Sequence, residues 1–152
     1  MTETAETAIG EKYLIFAVFD RQYAFPAQVV GEVANCDPFF HLPLLPSYVL
    51  GVIDRYTVPY ALFDISLLLA NKPGPRKEAL VINKDIDQVA FSIENVSGIA
   101  DITPDKLMKI ESGTGPFELH SAVYASFKWN GEDVYILNIR QLLARIMNEA
   151  AQ

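Results

Sequence analysis

The two halves of this 152-residue chain carry the same pattern of residues in the same order. Short apolar strands draw on few residue types, so chance is one explanation for such a match. The shared order of strand, turn, strand, loop, hairpin and leucine-rich end favours a repeat instead. It predicts two similar small β-barrel halves rather than one sandwich, since barrel closure also removes exposed strand edges. Five residues recur 66 positions later: Gln22, Ala24, Phe25, Val30 and Val33 correspond to Gln88, Ala90, Phe91, Val96 and Ile99, and FDISLLL (63–69) corresponds to LNIRQLL (137–143).

Apolar runs separated by polar turns predict a mainly β chain with few helices. The run YLIFAVF at 13–19 has the length and the aromatic and β-branched content of a buried strand. Asn130-Gly131 separates two further strand-like runs, and Asn-Gly accepts the positive φ angles of a tight type I′ turn. Residues 139–149 place apolar side chains on one helical face. The sequence therefore predicts a hairpin around 130–131, followed by a C-terminal amphipathic helix.

Composition and charge exclude several classes of protein. The 19 acidic and 12 basic residues give a net charge of −7, and the basic residues form no cluster that could neutralise phosphates. The one cysteine cannot form an internal disulfide, and no Cys and His spacing resembles a zinc site. No apolar run approaches the ~20 residues of a membrane-spanning helix. We expect a cytoplasmic protein that binds other proteins or small ligands.

Catalytic motifs are missing from the sequence. Cys36 and His41 are the one nucleophile and base that lie close together, but no protease-like signature surrounds them, and a lone cysteine is usually a small buried hydrophobe. His41 and His120 fit structural histidines better than metal ligands. There is no glycine-rich phosphate loop and no nucleophile elbow. The carboxylates at strand ends and turns are expected to cap turns or to face solvent: Glu32, Asp54, Asp64, Glu94 and Asp101.

Aromatic residues near predicted turns are the remaining candidates for function. They occur around Phe39 and Phe40, at Tyr56, and on the hairpin that carries Phe127 and Trp129. Such residues either anchor a protein interface or cap the barrel ends, and the sequence leaves both interpretations open. Val30 belongs with them if it faces a groove.

Four segments, in this order, resemble the CheW-like adaptor domain of bacterial chemotaxis. They are YLIFAVFDRQYAFPAQVVGEV, LPLLPSYVLGVI leading to FDISLLL, VAFSIENVSGIADITPDKL, and NGEDVYILNIRQLL, and together they span residues 13–143. The resemblance implies a mainly β fold of two intertwined five-stranded SH3-like barrels, with short helices and a C-terminal helix. We expect a tail at 1–12, then a single domain at 13–149 with halves near 13–72 and 78–143.

The resemblance also implies a function. It is that of a non-enzymatic scaffold without a cofactor, which joins the cytoplasmic domains of chemoreceptors to the regulatory domain of a CheA-type histidine kinase, itself built like CheW. Localisation would be cytoplasmic, peripheral to membrane receptor arrays. No nucleic acid and no membrane insertion are expected.

One hairpin tip departs from the family pattern. The receptor-facing valine of the family falls on Val30 in VGEV, but the family's Asn-Leu-Arg-Gly tip is replaced by residues 54–57, with Tyr56 on the arginine and Thr57 on the glycine in a gapless match. A one-residue gap would place Arg55 on the arginine, and Tyr56 would then replace the glycine. Because Tyr and Thr adopt positive φ only with strain, we expect this tip to have another shape. The candidate partner-binding residues are Val30, Asp54, Arg55, Tyr56 and Thr57.

Three other functions remain open at this point. The chain could be an adaptor of a pilus or gliding system that uses a different receptor or kinase. It could be a stand-alone sensor that binds a small ligand between its halves, since it has seven Tyr, nine Phe and one Trp to line an apolar pocket. A hydrolase that uses Cys36 with His41 is the third.

Overall fold

The computed structural model describes residues 10–110 and 121–151, with side chains to residue 146. Eleven β-strands, two α-helices and two 3₁₀ turns make up this part of the chain. The strands are β1 (Glu11–Val18), β2 (Arg21–Pro26), β3 (Val30–Asn35), β4 (Val49–Arg55), β5 (Val58–Asp64), β6 (Glu78–Ile82), β7 (Val89–Ile93), β8 (Val96–Ile102), β9 (Met108–Lys109), β10 (Val123–Trp129) and β11 (Glu132–Leu137). The helices are α1 (Ile65–Ala70) and α2 (Ile139–Ala151), and the 3₁₀ turns are Ala27–Val29 and Pro104–Lys106.

The strands form two sheets, and each sheet contains strands from both halves of the sequence. One sheet has the order β8-β1-β2-β11-β10-β9, and the other has the order β3-β6-β7-β5-β4. The first half therefore contributes its β1–β2 hairpin to the sheet of the second half, and the second half contributes β6 and β7 in return. The expected mainly β architecture of two intertwined halves is confirmed.

The pairing registers reproduce the sequence repeat. In the parallel pair β2 and β11, Ala24 lies opposite Ile136, and in the parallel pair β7 and β5, Ala90 lies opposite Leu62. Bulges also recur at corresponding points of the antiparallel pairs, one in β1–β8 and one in β3–β6. Matching registers and matching bulges do not arise from a chance likeness of apolar runs. The two halves are structural repeats.

Three apolar clusters hold the described part of the chain together. The largest lies between the sheets and includes Phe16, Phe25, Phe91 and Leu142, from both halves of the chain. The other two fill the interior of the separate barrels, around Phe127 in the six-stranded sheet and around Leu62 in the five-stranded one. Because the central cluster draws on both halves, neither barrel can lose its packing without exposing the core of the other.

Equivalent side chains cap the two helices. The Asp64 carboxylate accepts hydrogen bonds from the Ser66 and Leu67 amides at 3.0 and 3.4 Å, and the Asn138 side chain accepts one from the Gln141 amide at 3.1 Å. Asp64 and Asn138 occupy the same position at the end of β5 and β11. Each helix thus begins where a repeated polar side chain supplies an N-cap.

Some boundaries differ from the expectations. β1 begins at Glu11, inside the expected tail, because Glu11 and Lys12 pair with Ile102 and Asp101 of β8. The second barrel has six strands rather than five, since the short β9 pairs with β10. The sequence halves do not coincide with the barrels, because hairpins are exchanged. The expected loop at 111–118 and His120 lie outside the described residues.

Candidate functional site

The β4–β5 hairpin ends in a two-residue turn with strained backbone. Arg55 pairs with Val58, so only Tyr56 and Thr57 lie between the strands, and their φ angles are 53° and 66°. The expectation of another tip shape is therefore wrong. Strand pairing on both sides imposes a turn with positive φ even though neither residue is glycine, and the Thr57 hydroxyl donates a hydrogen bond to the Tyr56 carbonyl. The Tyr56 ring remains 81% exposed.

An ion pair holds this hairpin to the opposite edge of its sheet. Arg55 Nε and Nη2 donate to the two carboxylate oxygens of Glu32 at 3.0 and 2.9 Å. Because β3 and β4 are the two outer strands of the five-stranded sheet, the pair joins its edges and closes the barrel through side chains. The hydrogen bonds from Arg55 lower the pKa of Glu32. We call this Glu32–Arg55 ion pair the clasp.

The clasp also supports the aromatic tip. The guanidinium carbon of Arg55 lies 5.1 Å from the centroid of the Tyr56 ring, within the range of a cation–π contact. A bidentate pair fixes the guanidinium plane, so the ring rests on a positioned base. Both clasp side chains are 29% exposed. The tip therefore presents an aromatic ring at its surface and keeps its cation paired beneath.

Two surface cavities flank the clasp. A cavity of about 700 Å³ lies on one side and includes Val30, Glu32, Tyr56, Tyr60 and Lys84 in its lining. Val30 and Tyr56, which were proposed from separate segments, therefore share one surface.

The second cavity, of about 620 Å³, lies on the other side of the clasp. Its walls include Val33, Phe40 and Ile53, and its charged residues include Asp54 and Arg55. Of the five candidate residues, four line one cavity or the other, and Thr57 lines neither.

A third cavity, of about 690 Å³, lies between the β1–β2 hairpin, α1 and β11. Its walls combine apolar side chains, including Leu68, Leu69 and Tyr135, with charged ones from both halves. At its rim the Lys72 ammonium lies 4.5 Å from the centroid of the Phe19 ring. The sequence predicted a site between the halves but not the residues that line it, because the groove forms where a helix of one half lies beside strands of the other. We call it the inter-barrel groove.

The aromatic candidates divide between surface and core. Phe40 and Tyr56 are exposed, whereas Phe127 is buried and half-buried Trp129 packs against the interior of the six-stranded barrel. Half-buried Phe39 packs on the other barrel's core. The two open interpretations thus apply to different residues: the tip and the β3–β4 loop present aromatic surface, and the β10–β11 hairpin uses its rings to cap a barrel.

The expectation that the carboxylates at strand ends and turns cap turns or face solvent is only partly correct. Asp64 caps α1 and is buried, with Arg76 Nη2 at 3.4 Å from its carboxylate. Glu32 is instead a member of the clasp, which sequence reasoning did not find. The available signal was that Glu32 and Arg55 lie on the same face in the alternating pattern of their two strands. Whether the two side chains come into contact depends on how the sheet curls.

Cys36 and His41 do not form a nucleophile and base. Cys36 is fully buried within the five-stranded barrel, and burial, with a smaller effect of Asp37, raises the pKa of its thiol to about 11. His41 is exposed and its ring contacts Phe39. A buried thiol with a raised pKa is not a thiolate nucleophile. Within residues 10–110 and 121–151, no group of three or more His, Cys, Asp or Glu could hold a metal ion.

These features define a class of protein. It has two interlocked β-barrels, and its accessible surface offers open grooves and an aromatic hairpin tip, as in a protein-binding module. In the part of the chain that the structure describes, no helix is long and apolar enough to span a bilayer.

Comparison with known proteins identifies the family. The CheW-like domain matches residues 12–147, nearly the whole chain, and the protein belongs to this family. Its structure resembles that of the scaffolding protein TtCheW from Thermoanaerobacter tengcongensis, with a TM-score of 0.77, 13% sequence identity, and 88% of each chain covered. At this identity the likeness concerns the fold. No curated protein sequence gives a significant match.

Proposed function

We propose that this chain is a non-enzymatic chemotaxis adaptor, which couples chemoreceptor cytoplasmic domains to the regulatory domain of a CheA-type histidine kinase in the cytoplasm. The observation that carries the proposal is the exchange of hairpins between the barrels. Because each sheet contains strands of both halves and one apolar cluster joins them, partner surfaces on the two barrels keep a fixed mutual geometry. Signal coupling through a scaffold needs that fixed geometry.

The surface around the clasp is the proposed partner-binding site. Val30, which the family resemblance assigns to the receptor, shares one cavity with Tyr56, and Asp54 and Arg55 line the cavity on the other side of the clasp. The inter-barrel groove offers a second surface, where an amphipathic helix could lay its apolar stripe on Leu68 and Leu69. Two separate surfaces suit an adaptor that binds two partners at once.

The test is assembly of a ternary complex. The purified chain is mixed with the regulatory domain of the CheA-type kinase and with a chemoreceptor cytoplasmic fragment, both from the same genome, and the mixture is analysed by size-exclusion chromatography with light scattering. We expect co-elution of all three proteins. Folded protein that binds neither partner would refute the proposal. Kinase binding alone would place the chain in another signalling system.

A small-ligand sensor is a second candidate, and the inter-barrel groove is the observation that favours it. Its volume of about 690 Å³ falls in the range of ligand sites, although its charged rim is unlike a mostly apolar pocket. A thermal-shift screen of metabolites tests this function, with Leu68→Asp as the control variant. A ligand that raises the unfolding temperature of the wild type but not of Leu68→Asp would support it.

A further inference from the structure

We propose that Tyr56, rather than a cation, is the anchor of the partner-binding tip, and that the clasp serves to hold it in place. The occupant we infer is the receptor's helical hairpin, through an apolar stripe bordered by basic side chains. This inference rests on the proposed adaptor function and names the chemistry of its partner at the clasp.

The cation at the tip is already paired within the protein. Arg55 makes two hydrogen bonds to Glu32, at 3.0 and 2.9 Å, which occupy both carboxylate oxygens. The pair uses Nε and Nη2 of the guanidinium, and a partner's carboxylate that approached the remaining N–H donors would also meet the Glu32 carboxylate beside them. The clasp therefore neutralises the tip and makes it a poor site for an anionic partner.

The Tyr56 ring is positioned to meet a partner. It is 81% exposed, is held at a tight turn, and rests on the fixed guanidinium plane of Arg55. An aromatic ring whose freedom is already restricted loses little entropy on binding, and tyrosine is enriched among the residues that dominate interfaces. Tyr56 shares its cavity with Val30, so a partner that lies on Val30 also meets the ring.

The surface beside the tip is acidic and complements a basic partner. The adjoining cavity carries the carboxylates of Asp37, Asp54 and Glu78. Asp37 and Asp54 form no ion pair with any residue in ranges 10–110 and 121–151. With Arg55 neutralised by Glu32, this side of the tip is acidic, which favours basic side chains next to the apolar stripe of the partner.

The experiment measures binding of a chemoreceptor cytoplasmic fragment from the same genome by isothermal titration calorimetry. Tyr56→Asn is the main variant, because Asn130 holds the equivalent positive φ in the second barrel, so the turn should fold. We expect at least tenfold weaker binding with an unchanged or higher unfolding temperature, which circular dichroism verifies. Tyr56→Asn binding within threefold of the wild type would overturn the inference.

Glu32→Gln separates support of the ring from direct contact by Arg55. This variant keeps the guanidinium beside Tyr56 but removes the carboxylate charge that fixes it. If the clasp holds the ring in place, Glu32→Gln weakens receptor binding. Unchanged or tighter binding by Glu32→Gln would show that a freed Arg55 contacts the partner directly, and would overturn the inference.

Salt dependence tests the basic border. Wild-type affinity should fall with rising ionic strength, and the variant with Asp37→Asn and Asp54→Asn should lose most of that dependence. A wild-type affinity independent of salt would overturn this part of the proposal.

Failures of the inference and of the adaptor function remain distinguishable. Wild-type protein that forms the ternary complex, with Tyr56→Asn binding the receptor fragment as tightly as the wild type, overturns the inference and leaves the adaptor function. Wild-type protein that binds neither overturns both.

Discussion

The indole ring of Trp129 lies over the backbone of Gly98, where a Cβ atom would come within 2.8 Å of Cζ2. The registers of the two sheets place Gly98 at the position of Glu32 and Trp129 at the position of Arg55. Each barrel is thus closed at the same two positions, one by an ion pair and the other by a ring packed on glycine. The polar closure is the one that adjoins the proposed partner surface.

Gly98→Ala should destabilise the protein. The added methyl group meets Cζ2 and Cη2 of a half-buried indole at 2.8 and 2.9 Å, and such overpacking costs about 1 to 3 kcal/mol. Urea denaturation provides the measurement. Gly31→Ala in β3 is the matched control, because its Cβ would find its nearest neighbour at 3.4 Å, and we expect a change within about 0.5 kcal/mol. Equal effects of the two substitutions would contradict the described packing.

Thr57→Gly should stabilise the protein by about 1 kcal/mol. Thr57 is β-branched and holds a φ of 66°, which glycine adopts without the steric cost, although glycine also loses more backbone entropy on folding. Gly131→Thr is the reciprocal variant, because Gly131 has a φ of 81° and open space around it. Any loss of stability in that variant therefore comes from backbone conformation and not from a steric contact. Opposite shifts in the urea midpoint are expected. Destabilisation by Thr57→Gly would show that the threonine hydroxyl matters more than backbone strain.

The sequence predicted the fold well because the signals are local and repeated. Apolar runs marked the strands, Asn130-Gly131 marked its hairpin, and the recurring residues carried the correct equivalence of Ala24 with Ala90. The same repeat also held a prediction that was missed. Counted back from Asn130-Gly131, the corresponding pair is Tyr56-Thr57, so the positive φ angles at the tip could have been inferred despite the missing glycine.

The clasp and the residues that line the grooves could not be predicted from local, repeated signals. Glu32 and Arg55 are 23 residues apart and belong to strands at opposite edges of one sheet, with three strands between them. Their contact depends on how far the sheet curls, which no local pattern records. The exchange of hairpins came from the family resemblance and not from periodicity, since either assignment of hairpins to barrels buries the same apolar residues.

Stability should fall in acid partly through Glu32. Arg55 lowers the pKa of this carboxyl in the folded state, so its contribution is fully present above the unfolded value of ~4.3 and is lost as the pH falls through the folded value. Glu32→Gln removes the contribution at every pH. Urea unfolding of both proteins between about pH 6 and about pH 3 should show the wild-type advantage shrinking with acid. An advantage that is constant across this range would contradict the role of the clasp.

Asp64→Ala should cost about 2 to 3 kcal/mol, because it removes the cap of α1 and the buried partner of Arg76 together. Asn138→Ala removes only a cap at the equivalent position and should cost about 1 kcal/mol. Differential scanning calorimetry of the two variants compares them directly. Equal losses would mean that the contact between Asp64 and Arg76 contributes little.

The Cys36 thiol should be unreactive in the folded protein. It is fully buried, and burial raises the pKa of the thiol to about 11, so at neutral pH both access and thiolate content are low. Labelling with a thiol reagent, followed by mass spectrometry, should be slow without denaturant and rapid in concentrated urea. Cys36→Ala should leave receptor and kinase binding unchanged, since the Cys36 side chain is fully buried inside the barrel. Rapid native labelling, or thiol-dependent hydrolysis that Cys36→Ala abolishes, would revive the enzymatic alternative.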